Sequence, residues 1–273
     1  MKLSIFTDEI SADPIRALAL AAEWKVPAVE VRGLASGRFP RVSDAELDDF
    51  QQQLEDHGLR VSGVSPGLFK CPVDDAVVDG EIDVLLPRSC EWARRWGTDL
   101  VSVFGFLRDD GAKMPELVIE RLGQMAAVAA QQGCRLVLEN EAVCWGNTGI
   151  EAAAMVRRVG AENLSLLWDP GNSARAGSTD PYPGEYEQLK EIATHVHLKN
   201  FSPESGEWSL MDDGTVDWPG QFAALMTDNY DGYVVIETHL KQRPEGMALI
   251  AGLDAHESNS RYNLDYVRRY LDL

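Results

Sequence analysis

The chain has 273 residues, 45% of them hydrophobic and 25% charged, and a formal charge of −19 at pH 7. That length and core content suit one large α/β domain, and the acid excess excludes a phosphate-rich partner such as nucleic acid, which draws on clustered Lys and Arg. The remaining acid reads as solvated surface.

The opening MKLSIFTDEIS is already acidic at Asp8 and Glu9, which leaves no apolar core for a signal peptide. No apolar run approaches the ~18 residues of a spanning helix. The expected location is the cytoplasm, with no membrane partner. Cys71, Cys90, Cys134 and Cys144 form no CxxC pair, so reduced thiols are expected, Cys90 and Cys134 packed inside.

Short apolar, β-rich runs recur along the chain: KLSIF (2–6), AVEVR (28–32), LRVSGV (59–64), LVSVFGF (100–106), RLVLE (135–139), LSLLWD (164–169), HVHLK (195–199) and YVVIE (233–237). Segments of helical period lie between them. PIRALALAAEWK follows the first strand, and VSDAELDDFQQQLEDHG opens with Ser43 and Glu46 spaced as a capping box. PELVIERLGQMAAVAAQQG ends at a glycine, while TGIEAAAMVRRVG starts on Thr148 and Glu151 and stops at Gly160. Strands alternating with helices imply parallel pairing, and strands apolar on both faces imply helices outside. The expected architecture is a single (β/α)8 TIM barrel over residues 1–273. An open doubly wound sheet is the alternative, but no GxGxxG or GxxxxGK phosphate loop supports it.

Reactive groups in such a barrel sit at the carboxyl ends of the strands. Four consecutive strands end in a hard-metal ligand: Glu139, Asp169, His197 and Glu237. Each closes an apolar stretch, where a lone carboxylate is costly to desolvate, and one shared cation removes that cost. Two Glu, one Asp and one His suit Mn²⁺ first, with Mg²⁺, Co²⁺ or Zn²⁺ as alternatives. Lys199 shares the face of His197, where it reaches substrate oxygen or pairs with an acid. His195 points the same way one layer down and is read as support for His197. Asp8, Glu9, Glu30 and the Ser65-Pro66-Gly67 turn lie at the ends of strands one to three, so Glu30 is expected to touch substrate from the opposite wall. Phe104 and Phe106 read as core, or as an apolar wall. The stretch 201–218 is long for a βα loop and is expected to cover the pocket with Trp208 facing it, a solvent-exposed crossover being the alternative, and Asp217 is the expected N-cap of the next helix.

RLVLENE, LLWDPGN, HVHLKN and GYVVIE, with FTDEIS at the start, resemble the sugar phosphate isomerase/epimerase superfamily and its xylose-isomerase-like barrel, over essentially the whole chain. The resemblance implies one divalent ion held by Glu139, Asp169, His197 and Glu237, with Glu139 and Glu237 doubling as the acid/base pair. It implies an isomerase or epimerase for a small sugar or cyclitol, working by proton abstraction α to a carbonyl through an enediolate. The closest alternative is a lyase that dehydrates an inosose or 3-keto glycoside. A non-catalytic sugar-binding subunit ranks below both, and a homo-oligomer stays open. Many relatives carry His where this chain has Asn172, and many read ENH where it has Glu139-Asn140-Glu141. Asn172 is therefore the expected substrate contact, and both departures argue against a simple ketohexose. Three-zinc nucleases of the same barrel class need extra histidines that VSGVSPG, VSVFGF and SLMDDGTVDW lack.

Overall fold

The computed structural model describes residues 1–109 and 111–271. The eight apolar runs form strands, and all eight pair in parallel. They are β1 (Lys2–Phe6), β2 (Ala28–Val31), β3 (Arg60–Val64), β4 (Leu100–Phe104), β5 (Arg135–Glu139), β6 (Leu164–Trp168) and β7 (Ala193–Leu198), then β10 (Tyr233–Ile236) after the small antiparallel hairpin β8 (Asn200–Ser202) and β9 (Glu207–Ser209). The ring closes in the order β1-β10-β7-β6-β5-β4-β3-β2. The chain is thus a single closed (β/α)8 barrel, as expected.

Most of the core lies between barrel and outer helices, where Trp92, Trp168 and Trp218 are fully buried. Inside the barrel Leu100, Val137 and Leu167 form a small apolar cluster of their own. Val137 and Leu167 stand two residues before Glu139 and Asp169, so by strand alternation they floor the positions where those carboxylates point. Bulges between Val29 and Glu30 and between Leu166 and Leu167 interrupt the ladder next to inward-facing residues, a usual place for a strand to re-aim a side chain.

Sequence punctuation explains the boundaries. Pro170 cannot continue the β6 ladder, and Asp169 turns there into the N-cap of helix Pro170–Arg175, its Oδ1 accepting from Asn172 N at 2.9 Å. Thr148 caps Gly149–Val159, and Gly160 ends it at φ +65°. Asp217 caps Trp218–Thr227 through Gly220 N at 3.1 Å. The capping box at Ser43 is only half made. Ser43 Oγ accepts from Glu46 N at 3.2 Å, but the Glu46 carboxylate turns to Ser36 N at 3.0 Å. A complete box stands instead at Asp254 and Glu257, opening helix Ala255–Val267.

The long loop after β7 is an anchored structure. Asn200 Nδ2 donates to the carbonyls of Met211 and Val216 at 3.0 and 3.3 Å, and its Oδ1 accepts from Val216 N at 2.9 Å. Asn263 Oδ1 accepts from Met211 N at 3.0 Å, tying the loop to the last long helix. All four cysteines are free, with Cys144 buried as well as Cys90 and Cys134. No helix among the described residues is long and apolar enough to cross a membrane.

Candidate metal centre and active site

His195 and His197 share the inner face of β7, and both are 1% exposed. Between them stands Glu30. His195 Nε2 lies 2.6 Å from its Oε2, and His197 Nε2 lies 3.3 Å from its Oε1. Ser65 Oγ donates to that Oε1 at 2.6 Å. Burial alone would raise the Glu30 carboxyl, but the two imidazoles hold it far below the usual carboxylate range. A carboxylate at Nε2 fixes a proton there and turns Nδ1 of His197 toward the top of the barrel.

That Nδ1 has company on three sides. Glu237 Oε2 lies at 3.4 Å, Glu139 Oε1 at 3.5 Å and Asp169 Oδ2 at 4.0 Å, yet none is aligned to hydrogen-bond with it. Asp169 Oδ2 is likewise buried without a hydrogen bond, although the Lys199 ammonium makes a close charge contact at 2.8 Å. One donor atom from each of Glu139, Asp169, His197 and Glu237 falls within 4.8 Å of the others. Three carboxylates and an imidazole, two of their donor atoms orphaned in a buried space, fit a divalent cation that prefers oxygen.

The protein neutralises part of this charge itself. Lys199 Nζ lies 2.9 Å from Glu237 Oε2 as well as beside Asp169. Glu237 is gripped from behind, its Oε1 accepting from Arg32 Nη1 at 2.6 Å and lying 2.9 Å from His239 Nε2. Arg32 also reaches Asp8 at 2.8 Å and Glu9 at 2.5 Å. Glu139 Oε1 accepts from Asn172 Nδ2 at 3.1 Å, and Asn172 Oδ1 is buried without a partner.

Burial pushes the Asp169 carboxyl up to about 7, with Lys199 opposing the rise and Glu139 and Glu237 adding to it. For Glu139 and Glu237 burial is outweighed, chiefly by His197 and by Lys199 respectively, and both sit below the usual range. His197 is held well above its ordinary value because Glu139 and Glu30 overcome its burial. Both shifts favour the protonated forms of Asp169 and His197, so a divalent cation bound here would displace protons from them. Mn²⁺ affinity is expected to rise with pH between 6 and 8, by up to about tenfold per unit for each proton displaced. Calorimetry in buffers of different ionisation enthalpy reads the protons released, and a pH-independent affinity with no proton release would contradict this.

Above the cluster opens a cavity of about 200 Å³, with Phe104, Asn172, Lys199 and Trp208 in its wall. Trp208 packs 5.1 Å from the His239 ring and 4.9 Å from Lys199 Nζ, so the anchored loop does bring it to the site. Phe104 forms wall, whereas Phe106 is core against Phe69. One expected role changes. Glu30 is fully buried beneath His197, its oxygens taken by two histidines and a serine, and it does not line the cavity; it positions the imidazoles and is not a substrate contact. Asp8 and Glu9 likewise turn to Arg32. Glu141 pairs with Lys70 at 2.7 Å.

Arg32, Arg38, Arg175 and His239 belong to the site and stand outside the residues expected from the sequence. His239 had a signal: a histidine two residues past a strand-end glutamate, here at φ +57°, a conformation non-glycine residues rarely hold without cause. Arg32 reaches Asp8, Glu9 and Glu237 at once, a convergence readable only once the barrel is closed.

A closed parallel barrel with acids and a histidine gathered at the carboxyl ends of its strands defines a TIM barrel built around a candidate metal centre. The chain belongs to the xylose isomerase-like TIM barrel family, whose model matches residues 18–266. It is similar to inosose dehydratase of Clostridium botulinum (strain Alaska E43 / Type E3), 26% identical over 145 residues that make up 44% of this chain and 46% of that protein. Under half of that relative's length is thus matched. The rhizopine catabolism protein MocC of Rhizobium meliloti is 24% identical over 272 residues, 85% of this chain and 81% of that protein. The crystal structure of D-allulose 3-epimerase from Methylomonas sp. shares the fold with a TM-score of 0.77 at 18% identity, covering 99% of this chain and 98% of that one.

Proposed function

We propose that this chain is a divalent-metal-dependent carbohydrate isomerase or epimerase that removes the proton α to a carbonyl and passes through an enediolate. The observation that carries the reading is the convergence of Glu139, Asp169, His197 and Glu237, with Nδ1 of His197 and Oδ2 of Asp169 buried and unsatisfied. These four would hold the ion, Mn²⁺ by preference. When bound, it supplies Lewis-acid polarisation of the substrate carbonyl, which acidifies the neighbouring C–H.

The residues divide the remaining work. Asn172 fixes Oε1 of Glu139, leaving Oε2 free of hydrogen bonds among the described residues to take the α-proton. Glu237, steadied by Arg32 and His239, returns a proton from the other side, on the opposite face for epimerisation or on the next atom for isomerisation. Such acid/base assistance is worth about 10²–10⁴-fold. The Lys199 ammonium donates to the oxyanion that develops. Asn172 Oδ1 accepts from a substrate hydroxyl, and Trp208 shields the space from water.

Dehydration of an inosose or 3-keto glycoside is the second reading, favoured by the match to an inosose dehydratase; it begins with the same deprotonation. Ketoses, inososes and 3-keto glycosides incubated with enzyme and Mn²⁺ in D₂O test both. Deuterium at the α-carbon with no loss of water supports the isomerase or epimerase, and a product lighter by one water supports the lyase. No exchange into any member overturns the proposal.

A further inference from the structure

The cavity has two poles. Its floor is the carboxylate cluster, while Arg38, Lys70 and Arg175 line it from the loops after β2 and β3 and the helix after β6. Lys70 is spent on Glu141 at 2.7 Å. Arg38 and Arg175 are not spent. Arg38 Nη2 donates to the carbonyl of Ser65 at 3.1 Å, and the Arg175 guanidinium stacks 5.3 Å from the Trp208 ring centre. Neither makes an ion pair among the described residues, in a chain with 44 acids against 25 Lys and Arg. Both side chains are exposed, and two guanidiniums free of ion pairs that line one cavity above an acidic floor offer an anion from outside a place to bind.

We infer that the substrate is a sugar acid or carboxylated cyclitol, bound with its carbonyl end toward Glu139 and Glu237 and its carboxylate between Arg38 and Arg175. The planar fork of arginine matches a carboxylate in two-point contact. The acidic floor repels that end of the molecule, so the charge gradient also sets which way round it enters. A cavity of about 200 Å³ is below the usual size of small-molecule sites, which favours a carboxylate over a bulkier phosphate. The sugar-like body of this ligand rests on the function proposed above; the anion preference rests on the arginines alone.

The test separates the two. Binding to the metal-free protein is measured by calorimetry for D-fructuronate, D-fructose 6-phosphate and D-fructose, and for glycolate against ethylene glycol. The acids are expected to bind at least about a hundredfold more tightly than their neutral partners. Arg38→Met with Arg175→Met removes that preference, each arginine accounting for about ten- to a hundredfold, while the double Arg→Lys variant, which keeps the charge without the fork, keeps only part of it. Equal binding of acid and neutral partner, no binding of either, a preference that survives the double Met variant, or tighter binding of the phosphate overturns the inference. Deuterium exchange with Mn²⁺ is read separately: its complete absence sinks the proposed reaction and leaves the anion site standing on the binding data.

Discussion

Glu139→Gln is expected to lower α-proton exchange by about 10²–10⁴-fold at saturating Mn²⁺, the range acid/base groups contribute. The amide keeps an oxygen toward the cluster and the hydrogen bond from Asn172 Nδ2, which lies 3.1 Å from Oε1 in the parent, so the barrel should stay intact. What it loses is a group that can accept and hold a proton. Removing one negative charge from the donor set also weakens the ion, and this is why the comparison is made at saturation: the fall in affinity appears in the Mn²⁺ titration and the fall in chemistry in kcat. A kcat within tenfold of the parent, once the ion is saturating, would remove Glu139 from the reaction.

Arg32→Met should strike stability hardest. The guanidinium side chain is 15% exposed and serves Asp8, Glu9 and Glu237 at once, at 2.8, 2.5 and 2.6 Å. Taking away one partner of a buried ion pair strands the others, at about 3–5 kcal/mol. For a domain of this size that is a fall in Tm of about 10 °C. The sign of the pH effect follows. Burial would raise the Glu9 carboxyl, but His239, His256 and Arg32 hold it well below its ordinary value; without Arg32 it moves upward, so the stability it supplies is lost at a higher pH on acidification. Protonation relieves the stranded charge, and the gap in Tm between parent and variant should be wider at pH 8 than at pH 5. A Tm within 2 °C of the parent at pH 8 would show that the three acids find other partners.

Much of this was legible in the sequence because the barrel repeats one unit. Apolar strands closed by Glu139, Asp169 and Glu237 announce both fold and cluster: in a parallel barrel all strand ends meet at one rim, so linear spacing becomes spatial convergence. His197 followed from strand alternation. Glu30 was misplaced by one layer: Arg32, two residues further on the same inner face, lines the cavity, and Glu30 meets the histidines beneath it. Arg38 and Arg175 were illegible for another reason. An unpaired arginine is defined by what does not surround it, and that requires the loops after β2 and β6 to be seen against each other. The half-made cap at Ser43 has the same lesson, since the competing partner, Ser36, lies in a neighbouring loop.

The central claim is that side chains from β5, β6, β7 and β10 grip one ion together. Crystals soaked in Mn²⁺ and measured for anomalous scattering test it most directly. The account predicts one peak per chain, with oxygens of Glu139, Asp169 and Glu237 and Nδ1 of His197 at about 2.0–2.6 Å from it, and its disappearance in Asp169→Ala. A peak elsewhere, or none at Mn²⁺ concentrations that saturate turnover, would contradict it.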